Sequence, residues 1–260
     1  MNPSGGLFWH LHAWRQQRHW HGACADIAQW LATLPPPAKA RDPQARESLV
    51  VIGASAGWML SNRWLQGFAR VDTFDLDRWA GPLFRRRHGA ALQASGTALT
   101  CHTRDALADL DAVLSTHPQA VVLFDNVLGQ VRFHCASIDE ASQRIAKVTR
   151  RMRGRRWGSV HDAYSGPTHA RRVALPAPAM HRSVQARAGG PGAANPQRHT
   201  QASQPMGAGF DTFGQQLHAQ GDWLDHLTEA VFPEGTLVHH IAWPYSASYC
   251  HWLQAGWINP

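Results

Sequence analysis

Residues 48–77, SLVVIGASAGWMLSNRWLQGFARVDTFDLD, constrain the fold more than any other stretch of the chain. Residues 49–52 are an unbroken apolar run, as expected of a strand buried on both faces of a parallel sheet. The glycine-punctuated turn Gly53-Ala54-Ser55-Ala56-Gly57 follows, and residues 58–68 then read as a helix with Leu60, Trp64 and Phe68 on one face. A second strand over residues 71–74 leads into the acids Asp75 and Asp77. Strand, Gly-rich turn, helix, strand and terminal acid form the layout of a nucleotide-binding βαβ unit. Glycines let the backbone approach a ligand, and Asp75, roughly 20 residues past the turn, is placed to hold a ribose diol.

The alternation continues downstream. Residues 78–94 read as largely helical and carry the basic run Arg85-Arg86-Arg87-His88. Residues 98–102 form a third strand, 107–114 a helix, and 120–124 a fully apolar fourth strand ending in Asp125-Asn126. Residues 137–152 are a helix opened by the cap-like Ser137 with Asp139 and Glu140, and it closes on arginines, which suit a helix C-terminus. A fifth strand over 157–160 ends in His161-Asp162. Composition then shifts: residues 166–209 are dense in Pro, Gly, Ala, Gln and Arg and predict a flexible insertion. Residues 213–231 read as a helix, and 236–243 with 248–257 as an antiparallel hairpin on the sheet edge. Ahead of all this, residues 7–34 are helical until Pro35-Pro36-Pro37 stops them. The chain therefore divides into an aromatic-rich segment with its linker (1–47) and a main domain (48–260). Trp9, Trp14, Trp20 and Trp30 read either as a lid over a ligand or as the ridge that docks this segment.

Length and composition exclude several classes. A chain of 260 residues suits one α/β domain, and no run of 18 apolar residues marks a membrane span. The N-terminus has no apolar core of the signal-peptide kind, so a cytoplasmic location is expected. Cys24, Cys101, Cys135 and Cys250 are scattered and read as buried free thiols. The net charge of +7 is carried mostly by arginine and permits RNA binding, but no RNA-binding module accompanies it. His10, His12, His19 and His21 form two H-x-H pairs, and residues two apart on a helix point to different faces. No carboxylate or cysteine joins them at ligand spacing, so no metal site is expected.

With five early strands, a late helix and a closing hairpin, the chain resembles the class I S-adenosylmethionine-dependent methyltransferases over about residues 48–165 and 210–260. The resemblance implies a Rossmann-like α/β fold: a three-layer αβα sandwich on a mostly parallel seven-stranded sheet with an antiparallel C-terminal hairpin. It implies S-adenosyl-L-methionine as cofactor. Gly53, Ala54, Ser55 and Gly57 would pass under its methionine part, and Asp75, with Asp77 as competitor, would bind the ribose hydroxyls. Asp105, followed by Ala106, would meet the adenine amino group, and Asp125-Asn126 would mark the point where methyl donor and acceptor meet. The family's base-amine signature, an Asn or Asp followed by Pro-Pro and an aromatic, is absent after Asp125, which favours a small-molecule or peptide acceptor over a nucleic-acid base. If the acceptor must lose a proton, His161 with Asp162 as orienter is the first candidate base and His134 the second.

Two readings of other kinds fit part of the same stretch. Gly53-Ala54-Ser55-Ala56-Gly57 also satisfies the G-x-S-x-G elbow of serine hydrolases, with Ser55 as nucleophile and His161 and an aspartate completing a triad. That fold places several strands before its elbow, whereas only a helical segment precedes this one. A nucleotide-binding Rossmann-like domain without catalysis, or one for a nicotinamide cofactor, shares the βαβ logic.

Overall fold

Alternate residues of the central strands enter opposite layers. Leu49 and Val51 belong to one buried cluster, while Val50 and Ile52 belong to the other. A computed structural model of the chain describes residues 5–34, 46–167, 179–180 and 223–260. Five parallel strands come first: β1 (Ser48–Ile52), β2 (Arg70–Asp75), β3 (Ala98–Thr103), β4 (Val121–Asp125) and β5 (Trp157–Pro167). The two-residue strands β6 (Ala179–Met180) and β7 (Leu224–Asp225) follow, then β8 (Leu237–Ser246) and β9 (Tyr249–Ile258). The order across the sheet is β3-β2-β1-β4-β5-β9-β8-β6, with β7 paired to β5. Without the two shortest strands this is the seven-stranded Rossmann-like sheet with an antiparallel terminal hairpin.

Helices cover both faces. On one side lie α1 (Gly6–Thr33), the single turn α2 (Asn62–Leu65) and α3 (Ala80–Ala94), which bury Trp20, Ile27, Leu65, Phe84 and Leu92 with Leu49 and Val51. On the other lie α4 (Leu110–Thr116) and α5 (Ile138–Arg151), burying Val113, Ile145 and Val148 with Val50 and Ile52. The start of α5 is a reciprocal cap: the Ser137 hydroxyl accepts from the Glu140 N–H at 3.1 Å, and the Glu140 carboxylate accepts from the Ala136 N–H at 2.8 Å. α1 ends as the sequence requires, with Leu34 in extended backbone ahead of Pro35.

α1 seats its stripe of His10, Ala13, Trp20, Ala23, Ile27 and Trp30 on the hairpin side of the sheet. Trp20 meets Trp243 edge-on with ring centroids 4.9 Å apart, stacks on Tyr245 and donates its indole N–H to the Tyr245 carbonyl at 3.3 Å. Trp14 points away, 65 % exposed.

Several boundaries differ from the sequence reading. The helix expected over 58–68 is reduced to α2, because the chain turns tightly through residues 53–60 before entering it. β5 does not stop at Val160 but continues through His161 and Asp162 to Pro167, paired with β9 along its length with a register shift near Ala163. Polar His161 and Asp162 looked like a strand end, yet both are fully buried inside the fold, where Gln130 and His251 bond the Asp162 carboxylate and Ser159 bonds His161 Nδ1. In the helix expected over 213–231, residues 213–222 lie outside the described residues, and 223–231 hold β7 and turns. Of the insertion expected over 166–209, Gly166 and Pro167 belong to β5 and residues 179–180 are β6, while the rest lies outside the described residues. The hairpin is not only an edge: β9 lies between β5 and β8. The four cysteines are free, at intermediate burial rather than fully buried. Among the described residues, no helix is long and apolar enough to cross a membrane.

Candidate functional site

A cavity of about 520 Å³ opens at the C-terminal ends of β1, β2 and β4 and runs on to β5, β8 and β9. Such crevices form where crossovers leave a parallel sheet in opposite directions, here between β1 and β4. α1 closes part of it, with Gly5, Trp9 and Trp20 in the wall.

The turn after β1 is shaped for close approach. Gly53 has φ +79°, and a Cβ there would lie 2.6 Å from the Val127 Cβ, so a side chain would push apart the loops after β1 and β4. Gly57 has φ +64°, and its Cβ would fall 2.4 Å from Nε2 of His88. That histidine braces the turn from behind, pairing with the Gly57 carbonyl at 3.1 Å and with Asn62 at 2.6 Å. Burial lowers the His88 pKa to about 4, so the brace is neutral. Ser55 has φ +46° and donates its backbone N–H to Asp75 Oδ2 at 2.7 Å. Among the described residues no histidine is hydrogen-bonded to the Ser55 hydroxyl, so a hydrolase triad is not assembled around it. Ala54 is buried in the core rather than facing the cavity.

The two acids after β2 divide their work. Asp75 accepts N–H bonds from Ser55 and from Asp77 (2.8 Å), one on each oxygen, and lines the cavity. Burial raises its pKa, and the two N–H bonds offset only part of the rise. Asp77 also reaches the wall, but its carboxylate is engaged by the Gly6 N–H, by His10 Nε2 at 3.0 Å and by the Trp79 N–H at 2.9 Å. It ties the start of α1 to the sheet. Asp105 accepts from the Leu107 and Ala108 N–H groups at 3.0 Å each, and lines the cavity beside Arg104, Ala106 and Leu107. Ile52, Phe74, Leu76 and Val127 make the apolar part of this end.

Asp125 and Asn126 stand at the middle. Asn126 has φ +55°, a conformation asparagine tolerates better than most residues. Its N–H donates to the Val160 carbonyl at 2.7 Å, and its side-chain oxygen accepts from the Asp162 N–H at 3.0 Å. Burial, with Asp75 close by, pushes Asp125 up to about 7.

The far end is polar and aromatic. Tyr249 and His251 alternate with Cys250 on β9 and line it with Ser165 of β5, His226 and Gln130. Tyr249 donates to Ser165 Oγ at 3.0 Å, Ser165 pairs with His226 Nε2 at 2.8 Å, and His226 Nδ1 donates to the Gly129 carbonyl at 2.7 Å. Asp162, fully buried behind this wall, accepts from Gln130 at 3.0 Å and pairs with His251 Nδ1 at 3.0 Å. Burial alone would raise the Asp162 pKa, but His251, His226 and Asn126 hold it below the usual carboxylate value. Burial also lowers His226, against the pull of Asp162 and the Gly129 carbonyl.

Cavity lining thus unites Gly53, Ser55, Asp75, Asp77, Asp105, Ala106, Asp125 and Asn126. His161 is elsewhere. Next to Asp162 on a strand, it projects to the opposite face, bonding Ser159 at 2.8 Å with its ring against Phe232. His134 does line the cavity. Sequence reasoning missed Gln130, Ser165, His226, Tyr249 and His251. The two-residue spacing of Tyr249, His251 and Leu253 on an expected strand was the one available signal for β9.

No protein-family model matches the chain, and no curated protein matches it. Among solved structures it is similar to magnesium protoporphyrin IX methyltransferase from Synechocystis with bound S-adenosylmethionine: 14% identity, TM-score 0.42, 97% of this chain and 86% of that one. It is similar also to an O-methyltransferase family protein from Burkholderia thailandensis, at 14% identity and TM-score 0.39, over 93% of this chain and 56% of that one. A third is a SAM-dependent methyltransferase from Anabaena variabilis, at 12% identity and TM-score 0.37, over 94% and 93%.

Proposed function

We propose that the cavity binds S-adenosyl-L-methionine and that the protein transfers its methyl group to a small acceptor. The observation that carries this reading is the convergence of the β1 turn, Asp75 and Asp125-Asn126 on one cavity that continues into a polar, histidine-bearing wall. The residues present suit the cofactor. Asp75 keeps acceptor capacity for a ribose diol after its two backbone bonds, since each carboxylate oxygen has a second lone pair. Ile52, Leu107 and Val127 offer an apolar slot for a base, with Asp105 at its rim. Asp125, once ionised, would supply negative potential for a cation, and a bound cation would in turn favour its ionised form.

Bound there, S-adenosylmethionine would supply an electrophilic methyl on a positively charged sulfur, released as the acceptor's lone pair forms the new bond and the carbon–sulfur bond breaks. The protein's part is placement. Holding donor and acceptor in line removes much of the entropic barrier, worth up to about 7–11 kcal/mol in well-oriented systems. Trp9, Trp20 and Trp243 would exclude water, and Ser165, Tyr249 and His251 would orient the acceptor. Asp162, one of the pair singled out in the sequence, would act through His251 rather than touch the acceptor, because it lies behind the wall.

Titration calorimetry with S-adenosylmethionine, S-adenosylhomocysteine and NAD tests the reading. Saturable binding of the first two and none of the third is expected. Asp75→Ala is expected to weaken cofactor binding by about 1–3 kcal/mol through lost charge-assisted hydrogen bonds. Unchanged affinity in that variant would sink the assignment of Asp75.

A further inference from the structure

We propose that Asp162, His226 and His251 bind one divalent transition-metal ion of borderline character, zinc in the first instance, in the far wall of the cavity. The three residues come from β5, from the segment after β7 and from β9, and each offers one ligand atom to the cluster. Those atoms all lie within 4.8 Å of one another. Two imidazoles and one carboxylate form the donor set of zinc sites that keep a coordination position open. Imidazole donors disfavour magnesium and calcium, which prefer oxygen.

The surroundings orient the ligands as a metal site requires. His226 spends its Nδ1–H on the Gly129 carbonyl at 2.7 Å, which fixes the ring's lone pair on Nε2, where an ion would take the place of the Ser165 hydroxyl at 2.8 Å. Gln130 holds Asp162 Oδ2 at 3.0 Å and leaves Oδ1 facing His251 Nδ1. The His251 ring is boxed by Trp243, Tyr245 and Tyr249 at centroid distances of 5.0, 5.2 and 5.5 Å. Both histidines line the cavity while Asp162 closes the site from behind, so the open position faces the acceptor end. There an ion would bind an acceptor oxygen or nitrogen and favour its deprotonated form. The metal site stands on these ligands and is independent of the cofactor assignment.

The test uses the tag-free full chain, stripped with chelator and titrated with zinc chloride, with cobalt chloride followed by visible absorption, and with magnesium chloride as control. One equivalent of zinc, cobalt d–d bands and no magnesium binding are expected. His251→Asn and His226→Gln are each expected to weaken zinc by at least about tenfold, since even partners behind a metal's ligands are worth 10–100-fold. Cooperative thermal unfolding of each variant checks that it folds. Two results would overturn the proposal: no stoichiometric zinc uptake by the wild type, or uptake unaltered in both variants, which would move the ion to the histidines of α1. In the first case the Asp162–His251 pair acts as a hydrogen-bonded dyad. Failure of S-adenosylmethionine to bind would overturn the cofactor reading and leave the zinc result standing.

Discussion

Asp125 ends β4 largely buried beside a second acid, and its pKa is pushed up to about 7 by burial first and by Asp75 second. The folded chain therefore holds this proton more tightly than the unfolded chain, whose aspartates titrate near about 3.9. The stability it contributes is present below about pH 4 and is lost as pH rises through about 7. Asp125→Asn should flatten that part of the pH–stability curve, so the variant gains on wild type at pH 8 but not at pH 4; urea melts at the two values check it. A positively charged sulfur favours the ionised acid, so the ratio of S-adenosylmethionine to S-adenosylhomocysteine affinity should rise between pH 6 and 8 in wild type and stay level in the variant. His88 works with the opposite sign: its pKa falls to about 4 in the fold, so its contribution is lost as pH drops below about 6.5. That the glycines and acids of this half gather at one cavity could be expected from the sequence, because a tight turn restricts residue type and the acids end neighbouring strands within a short span. Asp162 was singled out with His161, but its meeting with His226 and His251 was not legible: the three come together only after β5, β7 and β9 pair, so no spacing in the sequence relates them.

At the scale of elements, α1 gains its stability from one face. Trp20 is 1 % exposed between Trp243 and Tyr245, whereas Trp14 is 65 % exposed. Trp20→Ala should destabilise the fold by about 3–5 kcal/mol, as loss of a large core aromatic does. Trp14→Ala should change stability by less than about 0.5 kcal/mol. Denaturant midpoints of the two variants measure the contrast, and equal losses would mean that α1 does not dock through Trp20. The helix itself was readable from its apolar spacing and the prolines after it, and α5 from its caps. α2 was overestimated because apolar residues in a tight connection mimic helical spacing. β5 was cut short because a buried polar pair reads as a strand end until its partners are known.

For the whole molecule, strand–helix alternation made the sheet legible. The positions of its last strands rested on resemblance, since a hairpin pattern does not say which strand of the pair faces the older sheet. Here β9 pairs with β5 on one side and β8 on the other. A chain ended after Ser246 should therefore lose more than a terminal strand. β5 would be left with an unpaired edge over most of eleven residues, and the shortened chain should associate in light scattering at concentrations where the full chain does not. The same arrangement sets a clock on synthesis. β5 leaves the ribosome long before the strand that covers it, so the growing chain carries an open, sticky edge through the whole translation of the intervening segment. A pause in that interval prolongs the exposure, and a cell making this protein has reason to translate the segment quickly or to shield the edge with a chaperone until β9 arrives.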